Sequence, residues 1–305
     1  MFHTHYQPEY LTSDTISGGV VHCFSTRHGG VSTGYLSSLN LGTHRGDEWN
    51  NVCENYRRLG AAVGFTPEQT VFTRQTHTDI VARVGAGDRG DGLFREVEQE
   101  RDGICTNEPG VALVCFSADC TPILLHDPVR HAVAAVHAGW RGTAQGIAAR
   151  CVELMTREFG TDPADLQAAI GPCIGPCCFE TGPEVPEAML AALGSEAAAY
   201  IRRDGALPSA DPRPEADKQC LSLQSCHSEH PKGLASRRSV ESVPHPEEKY
   251  HLDLKQLNAL WLRRAGVSRI DVSCDCTRCR PDRFWSHRVA GQERGSQAAV
   301  IMLKE

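Results

Sequence analysis

Residues 117–143 read SADCTPILLHDPVRHAVAAVHAGWRGT. Two apolar runs, 121–125 and 131–136, flank a short polar turn. A third run, 111–116, comes just before them. All three are rich in Val, Ile, Leu and Ala with little polar alternation, the pattern of strands buried on both faces. Cys120 follows an aspartate at the start of one run, and His137 stands at the end of the other, just ahead of Ala138 and Gly139. A thiol and an imidazole are therefore expected at the edge of a buried sheet.

Outward from this centre, Val20 to Phe24 predicts a strand followed by a glycine-rich turn. TVFTRQTHTDIVARV predicts two strands interrupted at Gln75 to Asp79. Residues 47–64 predict a helix capped by Asp47, with Val52, Tyr56, Leu59 and Val63 on one face. A second helix is expected from Thr143 as cap to Gly160 as terminator, with Ile147, Cys151, Leu154, Met155 and Phe159 inward. A third runs from Asp253 to Ala265, with Leu254, Leu257, Leu260 and Trp261 inward. LQAAIG, SRIDVS and AAVIML add strands. Residues 204–249, rich in Pro, Ser, Asp and Glu, are expected to be a flexible insertion inside a single domain spanning 1–305.

Composition narrows the function classes. The chain has 305 residues, 40% of them hydrophobic, and a net charge of −7. There is no basic stripe of the kind that grips nucleic-acid backbones, so nucleic acid is not an expected partner. No apolar run is long enough for a membrane span. The first residues lack a basic region followed by an apolar stretch, so a cytoplasmic location is expected. In that reducing setting the 14 cysteines are read as buried apolar residues, metal ligands or reactive thiols.

Two histidines and a cysteine, His77, Cys120 and His137, carry the candidate chemistry. Neutral imidazoles and a thiolate are good zinc donors, and three protein ligands leave a position for water or substrate. The spacing by itself leaves two other readings open: a core cysteine beside hydrogen-bonded histidines, and a Cys120–His137 nucleophile and base as in cysteine hydrolases. Arg141, in HAGWRGT, and Arg27, beside a Gly-Gly turn in STRHGGVS, are candidate anion holders. Two further cysteine groups stand out: Cys173, Cys177 and Cys178, and Cys274, Cys276 and Cys279. They can be combined into a structural zinc site. Neither has the spacing of a zinc knuckle, however, and buried thiols are the default reading.

FSTRHGGVS (24–32), SLNLG (38–42), RQTHTDIV (74–81), residues 102–128, AAVHAGWRGTAQGI (134–147), AAIGPCIGPCCFE (168–180) and DLKQLNALWLRRAGV (253–267) together resemble the YfiH-like family. That family is also called the laccase-domain or polyphenol oxidoreductase family. The resemblance implies an α/β fold, a layered α/β/β/α sandwich. It also implies one Zn2+ held by His77, Cys120 and His137, with copper as the alternative metal. The implied activity is phosphorolysis of purine nucleosides and methylthioadenosine, with adenosine deamination beside it. Purine nucleosides and phosphate are then the small-molecule partners. Within that chemistry Arg27 and Arg141 would hold phosphate, Asp119 would relay a proton or orient a ligand, and Glu180 would serve as an acid or base. A copper polyphenol oxidase and a non-catalytic zinc protein are the competing readings. Near its end the chain departs from the family pattern, which has an arginine pair after FxS and Gly-Arg before the last strand. Here His287 and Arg288 fill the first place and Gly295 and Ser296 the second, so the Gly-Arg arginine is missing unless Arg294 substitutes.

Overall fold

The computed structural model describes residues 1–203 and 248–305. Strands β1 (Phe2–His5), β2 (Tyr10–Ser13), β3 (Val20–Ser25), β4 (Thr70–Phe72), β5 (Val81–Arg83), β6 (Gly103–Thr106), β7 (Ala112–Ser117), β8 (Thr121–Asp127), β9 (Ala132–Ala138), β10 (Gln167–Ile170), β14 (Arg269–Val272) and β15 (Gln297–Leu303) form two six-stranded sheets. The first has the order β1-β2-β3-β15-β7-β4, and the second β14-β10-β8-β9-β6-β5. Strands β8 and β9 form an antiparallel hairpin in the second sheet, with Thr121 opposite Ala138 and Asp127 opposite Ala132. Asp127 accepts from the amides of Val129 and Arg130, which closes its turn.

The apolar runs are two-faced because each sheet is covered twice. Leu113, Cys115, Ala299 and Ile301 of the first sheet pack against Ile104, Leu124, Val133 and Ala169 of the second. Helix α1 (Trp49–Val63) covers the outer face of the first sheet through Val52, Tyr56 and Leu59. Helices α3 (Ile147–Phe159) and α5 (Leu254–Arg264) cover the second through Ile147, Cys151, Met155, Ala259 and Leu262. The result is the expected α/β/β/α sandwich. Beside α5, helix α4 (Glu184–Leu193) packs with a small sheet of β11 (Glu180–Thr181), β13 (Tyr250–Leu252) and β12 (Ile201–Arg203).

Two expected caps are corrected. Asp47 does not cap α1, whose N-cap is Glu48. Its carboxylate instead gathers Ser32, Asn40 and Asn51. Thr143 lies inside a separate short helix, α2 (Trp140–Ala144). Its hydroxyl accepts from Asn258 and its carbonyl from the Trp261 indole, tying α2 to α5. Gly146, at φ 77°, breaks the chain between α2 and α3, and a Cβ there would meet the Trp261 ring at 3.3 Å. Gly160 ends α3, as expected, and Asp253, the expected start of the third helix, turns out to cap α5. The expected insertion falls largely outside the described residues. Its flanks, Arg203 and Tyr250, are paired across one antiparallel ladder.

Candidate metal centre

The chain crosses from the first sheet to the second at two neighbouring places. Residues 73–80 lead from β4 to β5, and residues 118–120 lead from β7 to β8. His77 sits in the first crossing and Cys120 ends the second. His137 lies near the end of β9, opposite Pro122. Gln75 ties the first crossing to the end of β7: its side-chain oxygen accepts from the Phe116 amide at 2.6 Å, and its nitrogen donates to the Phe116 carbonyl at 3.0 Å.

The ligand atoms of His77, Cys120 and His137 lie within 4.8 Å of one another. The Cys120 Sγ is 3.8 Å from His77 Nε2, and the two imidazoles meet edge to face at 5.0 Å between centroids. Asp102, fully buried, organises all of this. Its carboxylate accepts from the amides of Thr76, His77 and Thr78 and from the Thr78 hydroxyl. It also meets His137 Nδ1 at 2.7 Å. An ionised carboxylate only accepts, so Nδ1 carries the proton and Nε2 faces the other two ligands. Gly139 leaves the space they need: a Cβ there would stand 2.7 Å from His77 Cδ2 and 3.4 Å from Cys120 Sγ. His77 and Asp119 both adopt positive φ, 65° and 94°, a conformation that costs non-glycine residues energy and is held by the surrounding bonds.

The charges support one another. Burial opposes ionisation of Cys120, but the His137 charge and hydrogen bonds from both histidines bring the thiol down to about 6. Burial likewise opposes protonation of His137, and the Cys120 charge with the Asp102 bond raises it to about 9. Asp102 is lowered to about 2 against its burial, chiefly by His137. A thiolate and two imidazoles facing one point, one of them oriented by a carboxylate, suit a borderline-soft divalent ion. The donor set therefore fits a metal.

The other expected residues are distributed around this centre. Asp119 is buried, and both of its carboxylate oxygens are engaged: one accepts from the Thr277 hydroxyl at 2.6 Å, the other from the Arg288 amide at 2.7 Å. Arg141 is exposed on α2 and lies over the Trp140 ring. Arg27 donates to the carbonyls of Ser37 and Pro281 and stacks on Trp285 at 3.9 Å. Glu180 is exposed, and its carbonyl accepts from Arg288. Arg294 is buried and brought down to about 10 by that burial and by Arg45, while Asp119 and Cys120 pull it the other way. Arg45 donates to the Ser296 hydroxyl, so its guanidinium reaches the position where the family pattern has an arginine. Sequence reasoning missed Asp102 and Arg45. The signal for Asp102 was an acidic residue directly before the buried run Gly103–Thr106; Arg45, in a turn, carries no signal. A groove of about 420 Å3 between α3 and α5, lined by Val152, Arg157 and Trp261 among others, holds none of these residues.

Fold and site together define an α/β/β/α sandwich protein with a two-histidine, one-cysteine group, a candidate metal centre, at the rim between its sheets. The chain belongs to the family described as multi-copper polyphenol oxidoreductase laccase, which matches residues 21–224 and 214–304. It is 39% identical to a protein of Escherichia coli named purine nucleoside phosphorylase YfiH, over 93% of this chain and 94% of that one. It is 34% identical to purine nucleoside phosphorylase YlmD of Geobacillus stearothermophilus, over 93% of this chain and 89% of that one. The crystal structure of the Geobacillus YlmD superposes with a TM-score of 0.75 at 33% identity, covering 97% of this chain and 96% of that one. Among the described residues no helix is long and apolar enough to cross a membrane.

Proposed function

We propose that this chain is a zinc-dependent purine nucleoside phosphorylase. Its substrates would be adenosine, inosine, guanosine and methylthioadenosine, with deamination of adenosine as a second activity. The observation that carries the reading is the three-ligand His77, Cys120 and His137 group, which leaves a coordination position for a reactant. It is supported by relatives named for this activity across nine-tenths of the chain. A bound divalent ion would supply Lewis acidity and activate water. Among the described residues the one other ligand group is four cysteines, so the many histidines of a multicopper oxidase are not in view.

In phosphorolysis a phosphate oxygen bonds to C1′ of the ribose, the C1′–N bond breaks, and the purine leaves with the electron pair and takes up a proton. Arg141, exposed beside the site, is the better of the two expected phosphate holders, since the Arg27 donors are engaged with carbonyls. Arg294, with Arg45 beside it, adds positive charge near Asp119 and Cys120. With both carboxylate oxygens engaged, Asp119 orients the Cys120 turn and does not shuttle protons. Glu180 is the acid or base candidate. Purified protein incubated with adenosine and phosphate should release adenine and ribose 1-phosphate; without phosphate only inosine and ammonia should form. Adenosine left intact in both incubations would reject the proposal. Arg141→Ala and Arg294→Ala should each raise the phosphate concentration needed for half-maximal turnover about tenfold, the loss of one charge-assisted contact.

A further inference from the structure

We infer that this chain binds a second metal ion, a structural zinc held by the thiolates of Cys177, Cys178, Cys276 and Cys279. The site is separate from the rim centre and does not depend on the proposed activity. Strands β10 and β14 are parallel neighbours, so the loops that leave their C-terminal ends emerge side by side. The loop after β10 carries Cys177 and Cys178, and the loop after β14 carries Cys276 and Cys279, about a hundred residues further on. A bridge between Cys173 and Cys276 brings the two backbones together.

The four Sγ atoms lie within 4.8 Å of one another. Cys279 Sγ is 3.5 Å from that of Cys177 and 3.4 Å from that of Cys178. Tetrahedral Zn–S bonds of about 2.3 Å place ligand sulfurs about 3.8 Å apart, whereas a disulfide needs about 2.05 Å. The observed separations match the first arrangement. They are also too small for an iron–sulfur cluster, which spreads its thiolates around several atoms. A closed set of four protein ligands is the mark of a structural site, in contrast to the open rim centre.

The surroundings fit a tetrathiolate. The Gly175 amide donates to Cys276 Sγ at 3.1 Å, and Arg278 donates to Cys178 Sγ at 3.4 Å, opposing the excess negative charge. A Cβ at Gly175 would crowd Cys276 Cβ at 3.2 Å and Cys177 Sγ at 3.3 Å. Cys178 and Cys276 are buried, Cys177 and Cys279 half-buried. The loops held by this ion also hold the first site. The Ile174 amide donates to the Asp119 carbonyl, and the Thr277 hydroxyl to the Asp119 carboxylate. The second ion is therefore a staple that fixes the backbone against which the Cys120 turn rests.

Zinc measured by mass spectrometry on the isolated full-length protein should be two ions per chain. The variant His77→Ala/His137→Ala should keep one, and X-ray absorption on that variant should show four sulfur neighbours and no nitrogen. Cys178→Ser/Cys279→Ser should lose the sulfur-bound ion. The proposal is overturned by one zinc per chain that disappears in the histidine variant. It is equally overturned by a residual ion with nitrogen ligands, or by intact-mass loss showing disulfides among these cysteines. The histidine variant keeps the test decisive even where the cysteine variant does not fold.

Discussion

Cys120 and His137 form an ion pair whose partners are charged together between about 6 and about 9 when no metal is bound. The lowered thiol contributes stability that is full above its ordinary value and is lost as pH falls through about 6. The raised imidazole contributes stability that is full below its ordinary value and is lost as pH rises through about 9. Alkylation of Cys120 in chelator-treated protein should therefore stay fast down to a midpoint near pH 6, and metal should block it; a midpoint near 9 would contradict this geometry. Asp102→Asn replaces the acceptor that fixes the His137 tautomer and should weaken metal affinity about 10–100-fold, measured by competition with a chromogenic chelator. Thr277→Val removes the hydroxyl donor from a buried carboxylate and should cost about 1–3 kcal/mol in urea unfolding. The candidate metal ligands themselves were legible as residue types. Asp102 was not, because its value lies in five bonds from a loop and a strand that are distant in sequence.

Among the elements, the helices show how far local patterning reaches. The stripe on α3 and the start of α5 at Asp253 were read correctly, since both depend on neighbours within one or two turns. Asp253→Ala should cost about 1 kcal/mol, seen in thermal unfolding. Asp47 and Thr143 also looked like caps. Each is instead spent on another element, Asp47 on the loop carrying Ser32 and Asn40, and Thr143 on α5. The turn between β9 and α2 is governed by space. Gly139→Ala would push a methyl group onto His77, so metal affinity should fall at least tenfold while the melting temperature changes little, a split read by calorimetry with and without zinc.

For the whole molecule, the layer between the sheets sets stability. Leu124 is fully buried there, and Leu124→Ala should cost about 2–5 kcal/mol while leaving the zinc content of the folded protein unchanged. His22, buried and accepting from the Ser13 amide, is brought down to about 4 by that burial. The unfolded chain takes up this proton first, so the contribution is full above the ordinary imidazole value and lost as pH falls toward about 4. It amounts to about 3 kcal/mol, and His22→Gln should flatten that part of the pH dependence of urea unfolding. The sequence by itself determined the two-faced strands and the helical stripes, because these rest on local periodicity, and it offered His77, Cys120 and His137 as candidate ligands by residue type and family resemblance. Only the tertiary structure decided that the crossing 73–80 and strand β9 meet at Asp102, that Arg45 reaches Ser296, and that two parallel strands deliver four cysteines to one point. Those convergences depend on strand order, and strand order is set by packing among residues far apart in the chain, which local pattern does not encode.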